Sequence, residues 1–126
     1  TRKLNISNKV IFTGFLDGSH KLSCLVDADI VTQTSRQEQG AWAPFEAVLC
    51  GTPIIVTSHT GSGEDVRKIS AGELVDFDDN EGLSEKFDEI FNNYKYHVEK
   101  TLIAKKTLID NYSFRGRIHE YLNLYK

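Results

Sequence analysis

The chain has 126 residues, 40% of them hydrophobic and 26% charged, with a formal charge of −3, values that suit one globular domain with a core of its own. No basic stripe of the kind a nucleic-acid groove needs is present; Arg115 and Arg117 come nearest and read as a solvated helix start. No apolar run approaches the ~20 residues of a membrane span, and the first residues lack the apolar core of a signal peptide.

The elements follow in chain order. Residues 10–13 are a β-branched and aromatic run that reads as a strand ended by Gly14. Residues 21–28 carry apolar side chains at helical spacing, with Ser19 as N-cap. Residues 29–34 read as a second strand and 44–50 as a helix, with Pro44 in its first turn and Gly51 as its left-handed cap. The almost wholly apolar run 53–57 predicts a parallel strand covered on both faces. A short helix over 64–69 and a strand over 72–77 complete the alternation. Three helices are then predicted, over 82–94, 96–111 and 114–124. Their apolar stripes are Leu83, Phe87, Ile90, Phe91 and Tyr94; Leu102, Ile103, Leu108 and Ile109; and Ile118, Tyr121, Leu122 and Tyr125. The chain thus reads as one domain over 1–126, with βα units over 1–77 and helices over 78–126. The fold class is α/β: a Rossmann-like parallel sheet with flanking helices and a helical C-terminal tail.

Cys24 and Cys50 sit in apolar helical patterns and read as reduced, buried thiols of a cytoplasmic protein. His20, His59, His97 and His119 are scattered without metal-ligand spacing, so no metal is predicted.

Open α/β sheets bind ligands beyond the carboxyl ends of their strands. The loops 14–19, 35–43 and 58–63 sit there, rich in residues small enough for a ligand to approach the backbone. The middle loop places Glu38 eight positions before Glu46, with seven residues between them, and runs into a helix start. On one helix those carboxylates would lie about 12 Å apart, too far for a cooperating acid–base pair. The spacing suits two carboxylates holding different parts of one extended ligand, with helix-start N–H groups between them as an anion site. A diphosphate with a sugar at each end matches. The plainer alternatives stand beside this. Glu46 serves the helix dipole, Glu38 is an ordinary loop residue, Gly61 and Gly63 make a turn, and Trp42 packs in the core. From the residues alone the sequence reaches an α/β domain with a nucleotide cleft.

The order of motifs resembles the C-terminal, donor-binding domain of the group 1, glycogen-synthase-like GT-B glycosyltransferases (family four). The likeness runs from Val10, Ile11, Phe12, Thr13, Gly14, Phe15 and Leu16 through Ala28-Asp29-Ile30-Val31 and Ser35 to Glu38 and Glu46. It continues with Glu46, Ala47, Cys50, Gly51, Thr52 and Pro53, then Gly61, Gly63, Glu64, Asp65 and Val66, and closes on Gly72, Glu73, Leu74 and Val75. The resemblance implies a transferase whose donor is a nucleotide-diphosphate sugar, with anomeric configuration retained and no metal or other cofactor. Glu46 then holds the ribose, and Glu38 is the catalytic-site carboxylate on donor-sugar hydroxyls. Gly40, Ala41, Trp42 and Ser35 face the donor, and Gly14, Phe15 and Leu16 lie near the base. Three positions depart from the pattern: Thr34 for a Pro, Gln39–Trp42 for Gly-Phe-Gly-Leu, and Thr60, Gly61, Ser62 and Gly63 for two adjacent glycines.

The resemblance also implies an N-terminal domain for a carbohydrate, lipid or other acceptor, and leading βα units, outside this chain. The sheet is then truncated with exposed edges, the chain is prone to self-association and inactive alone, and the whole enzyme is cytoplasmic or at the cytoplasmic face of a membrane. A non-catalytic nucleotide-binding α/β module and an epimerase-like GT-B enzyme remain alternatives.

Overall fold

Three short parallel strands, β1 (Val31–Gln33), β2 (Ile54–Thr57) and β3 (Glu73–Val75), make the sheet in the order β1-β2-β3. The structure is a computed structural model that describes residues 1–125, without the side chains of 114–116, so Arg115 lies outside what is described. Register pairs Val31 with Ile54 and Ile55 with Glu73. Every residue of β2 is buried, as its unbroken apolar run predicts. The strand pleat sends Ile54 and Val56 to one face and Ile55 to the other. Ile54 and Val56 join Ala47, Val48, Val66, Ala71, Ala104 and Leu108 in the main core, while Ile55 packs with Val75 and Ile90.

The helices are α1 (Gly18–Asp27), α2 (Ala43–Cys50), α3 (Gly61–Ile69), α4 (Asn80–Asn92), α5 (Tyr94–Thr107) and α6 (Phe114–Leu124), with a π turn over Leu108–Tyr112 between the last two. Pro44 and Gly51 bracket α2 as read from the sequence. Gly51 takes φ 91°, and its N–H returns to the Val48 carbonyl at 3.0 Å. Thr52 Oγ donates to the Leu25 carbonyl at 2.5 Å and ties α1 to the end of α2.

Several boundaries and faces differ from the sequence reading. Residues 10–13 form no strand, and Ile11, Phe12 and Phe15 are exposed. Strand propensity is a preference for a half-buried, paired surface, and no neighbouring strand lies beside this run among the described residues. Ser19 lies inside α1, which starts after Asp17 without a side-chain cap bond. The helix read from Glu64 begins at Gly61, because Thr60 caps it by accepting from the Gly63 N–H at 3.1 Å.

The predicted stripe of α5 is not its buried face. His97, Thr101, Ala104 and then Leu108 are buried, whereas Leu102, Ile103 and Ile109 are exposed. Small and polar side chains let α5 pack closely on α2, and His97 faces the Glu73 carboxylate of β3 at 3.6 Å. In α4, Ile90 is buried with Leu83 and Phe87 against it, and Phe91 points outward. Cys24 is exposed and Cys50 half-buried, so neither is the buried thiol expected. No helix among the described residues is long and apolar enough to cross a membrane.

Candidate functional site

Glu38 lies just beyond the carboxyl end of β1 and is the best-anchored side chain in the loop. Its Oε2 accepts from the Gly40 and Ala41 N–H groups, both at 2.6 Å. Its Oε1 accepts from the Ser62 N–H at 2.7 Å and from the Ser62 hydroxyl. The Gly61 N–H adds a bond to the Glu38 carbonyl at 3.1 Å. Burial works against the charge, but the Ser62 hydroxyl, the Ser62 N–H and the Gly40 N–H outweigh it and hold the carboxyl at about 2. Glu38 is therefore an anion at the positive end of α3.

The glycines here are needed for close approach. A Cβ on Gly61 would meet the Gln39 carbonyl at 2.6–2.7 Å, and one on Gly63 would collide with the Thr57 and Ser58 carbonyl oxygens. Gly61 and Gly63 thus press the start of α3 against the loop and the end of β2 as part of the helix itself. Gly40 takes φ 147°, which other residues rarely adopt.

Four residues singled out in the sequence line one cavity of about 620 Å³: Gly40, Ala41, Trp42 and Glu46. Its far wall comes from the π turn and α6, including Tyr112 and Arg117. Trp42 is 77% exposed, which corrects the expectation of core packing; it is the N-cap residue of α2 and makes no side-chain cap bond. Pro44 has no N–H to offer, so the donors at this helix start are Ala43 and Phe45. Glu46, in the first turn, accepts from Lys21 Nζ of α1 at 2.7 Å. Ser35 Oγ accepts from Gln33 Nε2 at 3.4 Å and sits off the cavity wall. Gly14, Phe15 and Leu16 do not line it either, and Phe15 is exposed.

The loops at the sheet's carboxyl end are joined in two further places. The Ser58 hydroxyl donates to Asp76, whose carboxylate lies 3.7 Å from His59 Nε2. The Arg36 guanidinium stands 5.9 Å above the Phe77 ring.

A second ionisable cluster was not legible in the sequence. Glu73 Oε1 accepts from Lys100 at 2.7 Å and Oε2 from Lys86 at 3.3 Å, and Lys86 also reaches Glu89 at 2.6 Å. Buried His97 lies 3.6 Å from Glu73 and 4.0 Å from Glu89. Burial opposes the charge of Glu73, yet the two lysines hold its carboxyl below the usual range. Glu73, Glu89 and His97 are near enough for a cation, but the two ammonium groups already neutralise the carboxylates. The cluster ties β3 to α4 and α5 and borders a cavity of about 740 Å³. That larger cavity contains none of the residues singled out for the donor.

The family described as glycosyl transferases group 1 matches residues 1–107. An uncharacterized glycosyltransferase of Methanocaldococcus jannaschii is 27% identical over 98% of this chain and 32% of its own length. A poly(ribitol-phosphate) alpha-N-acetylglucosaminyltransferase of Staphylococcus aureus is 23% identical over 96% of this chain and 24% of its own. The fold is similar to that of sucrose-phosphate synthase from Thermosynechococcus elongatus, with a TM-score of 0.83 and 21% identity over 98% of this chain and 31% of that one. The chain spans about a third or less of each of these proteins.

Proposed function

The chain belongs to the group 1 glycosyltransferases, and from that premise we propose that it binds the nucleotide-diphosphate sugar donor of a retaining, family-four enzyme whose acceptor is held elsewhere. The observation that carries this reading is that Gly40, Ala41, Trp42 and Glu46 converge on one cavity at the start of α2. A carboxylate there can take paired ribose hydroxyls, as acidic residues do in dinucleotide-binding folds. Lys21, at 2.7 Å, orients the Glu46 carboxylate until the ribose arrives. The N–H groups of Ala43 and Phe45 supply positive potential for the diphosphate, and Arg117, which the Glu120 carboxylate holds at 2.7 Å, contributes only by leaving that pair. Fixed donors of this kind meet the charge that develops on a departing nucleoside diphosphate.

Glu38 takes the sugar end of the donor. Its Oε2 faces Gly40 and Ala41, which line the cavity wall. Glu38 itself does not line the cavity, so a sugar hydroxyl would reach Oε2 by displacing the Gly40 or Ala41 N–H, which would then donate to the sugar nucleotide instead. The proposed chemistry needs no metal, and the enzyme acts in the cytoplasm or at the cytoplasmic membrane face. The residues at 14–16 would approach the base only through movement of an exposed segment, so they are the outermost part of the proposal.

Calorimetry with UDP, GDP and ADP tests the reading. One nucleotide should bind, and Glu46→Ala should weaken it by roughly 1.5–3 kcal/mol, the loss of a charged hydrogen-bonding group. Equal affinity in wild type and variant would overturn the ribose assignment.

A further inference from the structure

We propose that Ser62 is a positioning residue for the donor sugar: it fixes Oε1 of Glu38 so that Oε2 faces the Gly40–Ala41 backbone on the cavity wall. This rests on the donor-binding reading above.

Ser62 is buried, 1% exposed, although serine is mostly a surface residue. It gives both its N–H and its hydroxyl to the same oxygen of Glu38 across 24 positions of sequence. A carboxylate has about four acceptor positions. Ser62 fills the two on Oε1, and Gly40 and Ala41 fill the two on Oε2. A carboxylate held by one oxygen alone could still turn about its last bond. Held at both, and with the Gly61 N–H on the Glu38 carbonyl, it has one orientation. The start of α3 has no room to shift toward the sheet, because Gly63 lies directly on the end of β2. Ser62 therefore acts on the sugar pocket through Glu38, at the loop position where the sequence departs from paired glycines.

The hydroxyl has a second consequence that separates positioning from mere packing. It stabilises the charged form of Glu38, so its removal must move the titration of Glu38 as well as the shape of the loop.

The first test needs no ligand. Carboxyl and amide resonances of this chain are followed by NMR as the pH is lowered. The Gly40, Ala41 and Ser62 amides should follow the Glu38 carboxyl in the wild type. Ser62→Ala should raise the Glu38 midpoint by about a unit or more, and Ser62→Thr, which keeps a hydroxyl, should restore it. Equal midpoints in wild type and Ser62→Ala would overturn the proposal. Should Ser62→Ala fail to fold, the wild type decides: Gly40 and Ala41 amides that ignore Glu38 refute the clamp, and amides that follow it sustain it.

The second test uses UDP-glucose, GDP-mannose and ADP-glucose as probes, each beside its free nucleoside diphosphate. Ser62→Ala should weaken the best-bound sugar nucleotide about tenfold more than its diphosphate, with rescue by Ser62→Thr. Equal loss for both, or no loss, would contradict a role at the sugar end. Binding by none of the probes would overturn the donor reading, and the positioning role with it, while the ligand-free titration would still report on the clamp itself.

Discussion

Two glutamates, both held in the charged form, stand at opposite ends of the same small sheet. Glu38 lies past the carboxyl end of β1 and is held by backbone N–H groups and one hydroxyl. Glu73 opens β3 at the amino end and is held by Lys86 and Lys100, with His97 beside it. Amides on a fixed backbone give a carboxylate one orientation, and their hold depends little on salt. Lysines on flexible stems give charge balance with looser geometry, and solvent screens them. The first arrangement suits a group that must meet a ligand in register. The second suits a brace between β3, α4 and α5.

The largest expected difference comes from deleting each carboxylate. Glu38→Ala leaves the buried Ser62 hydroxyl and three amides without their acceptor, which should cost about 2–3 kcal/mol in urea unfolding. Glu73→Ala leaves partly exposed lysines that can turn to water, and its cost should be smaller, about 1–2 kcal/mol. A larger loss at Glu73 than at Glu38 would show that the lysine-held carboxylate is the more tightly built of the two.

Acid comes next. Both carboxyls titrate lower in the folded chain than when unfolded, so the unfolded state binds protons first. Their stabilisation is present above the unfolded value near 4.5 and is lost as pH falls through the folded values, about 2 for Glu38. A shift of that size is at most about 3.5 kcal/mol, and solvent at the loop reduces it to about 1–2 kcal/mol. Urea unfolding of wild type and Glu38→Gln at pH 6 and pH 3 checks this. The gap between the two proteins should shrink at the lower pH.

Salt gives the smallest effect. Raising NaCl to 1 M should weaken the contribution of Glu73 by less than about 1 kcal/mol and leave that of Glu38 nearly unchanged. Equal salt sensitivity would show that both sites are ionic braces.

The sequence reveals the parts of this molecule that local chemistry decides. β2 is legible because a strand buried on both faces must be apolar throughout, and α2 is legible because Pro44 and Gly51 mark its ends. Glu38 and Glu46 stand out by their spacing and by the motif that follows Glu46. What fails depends on partners distant in sequence. Residues 10–13 have strand composition but no strand beside them among the described residues. Trp42 is apolar enough for the core, yet its place at the start of α2 leaves it on the cavity. The buried face of α5 carries His97, Thr101 and Ala104, which no hydropathy pattern would choose. Ser62 and Lys21 reach their glutamates across 24 and 25 positions. The one visible sign of Ser62 is that it interrupts a pair of glycines.

The claim that the donor lies at the Glu38–Glu46 end is tested most directly by mapping amide shifts as a sugar nucleotide is added to the isotopically labelled chain. Perturbations are expected at Gly40, Ala41, Trp42 and Glu46, extending to Ser62 through Glu38. Perturbations confined to Glu73, Lys86 and Lys100, around the larger cavity, would contradict it.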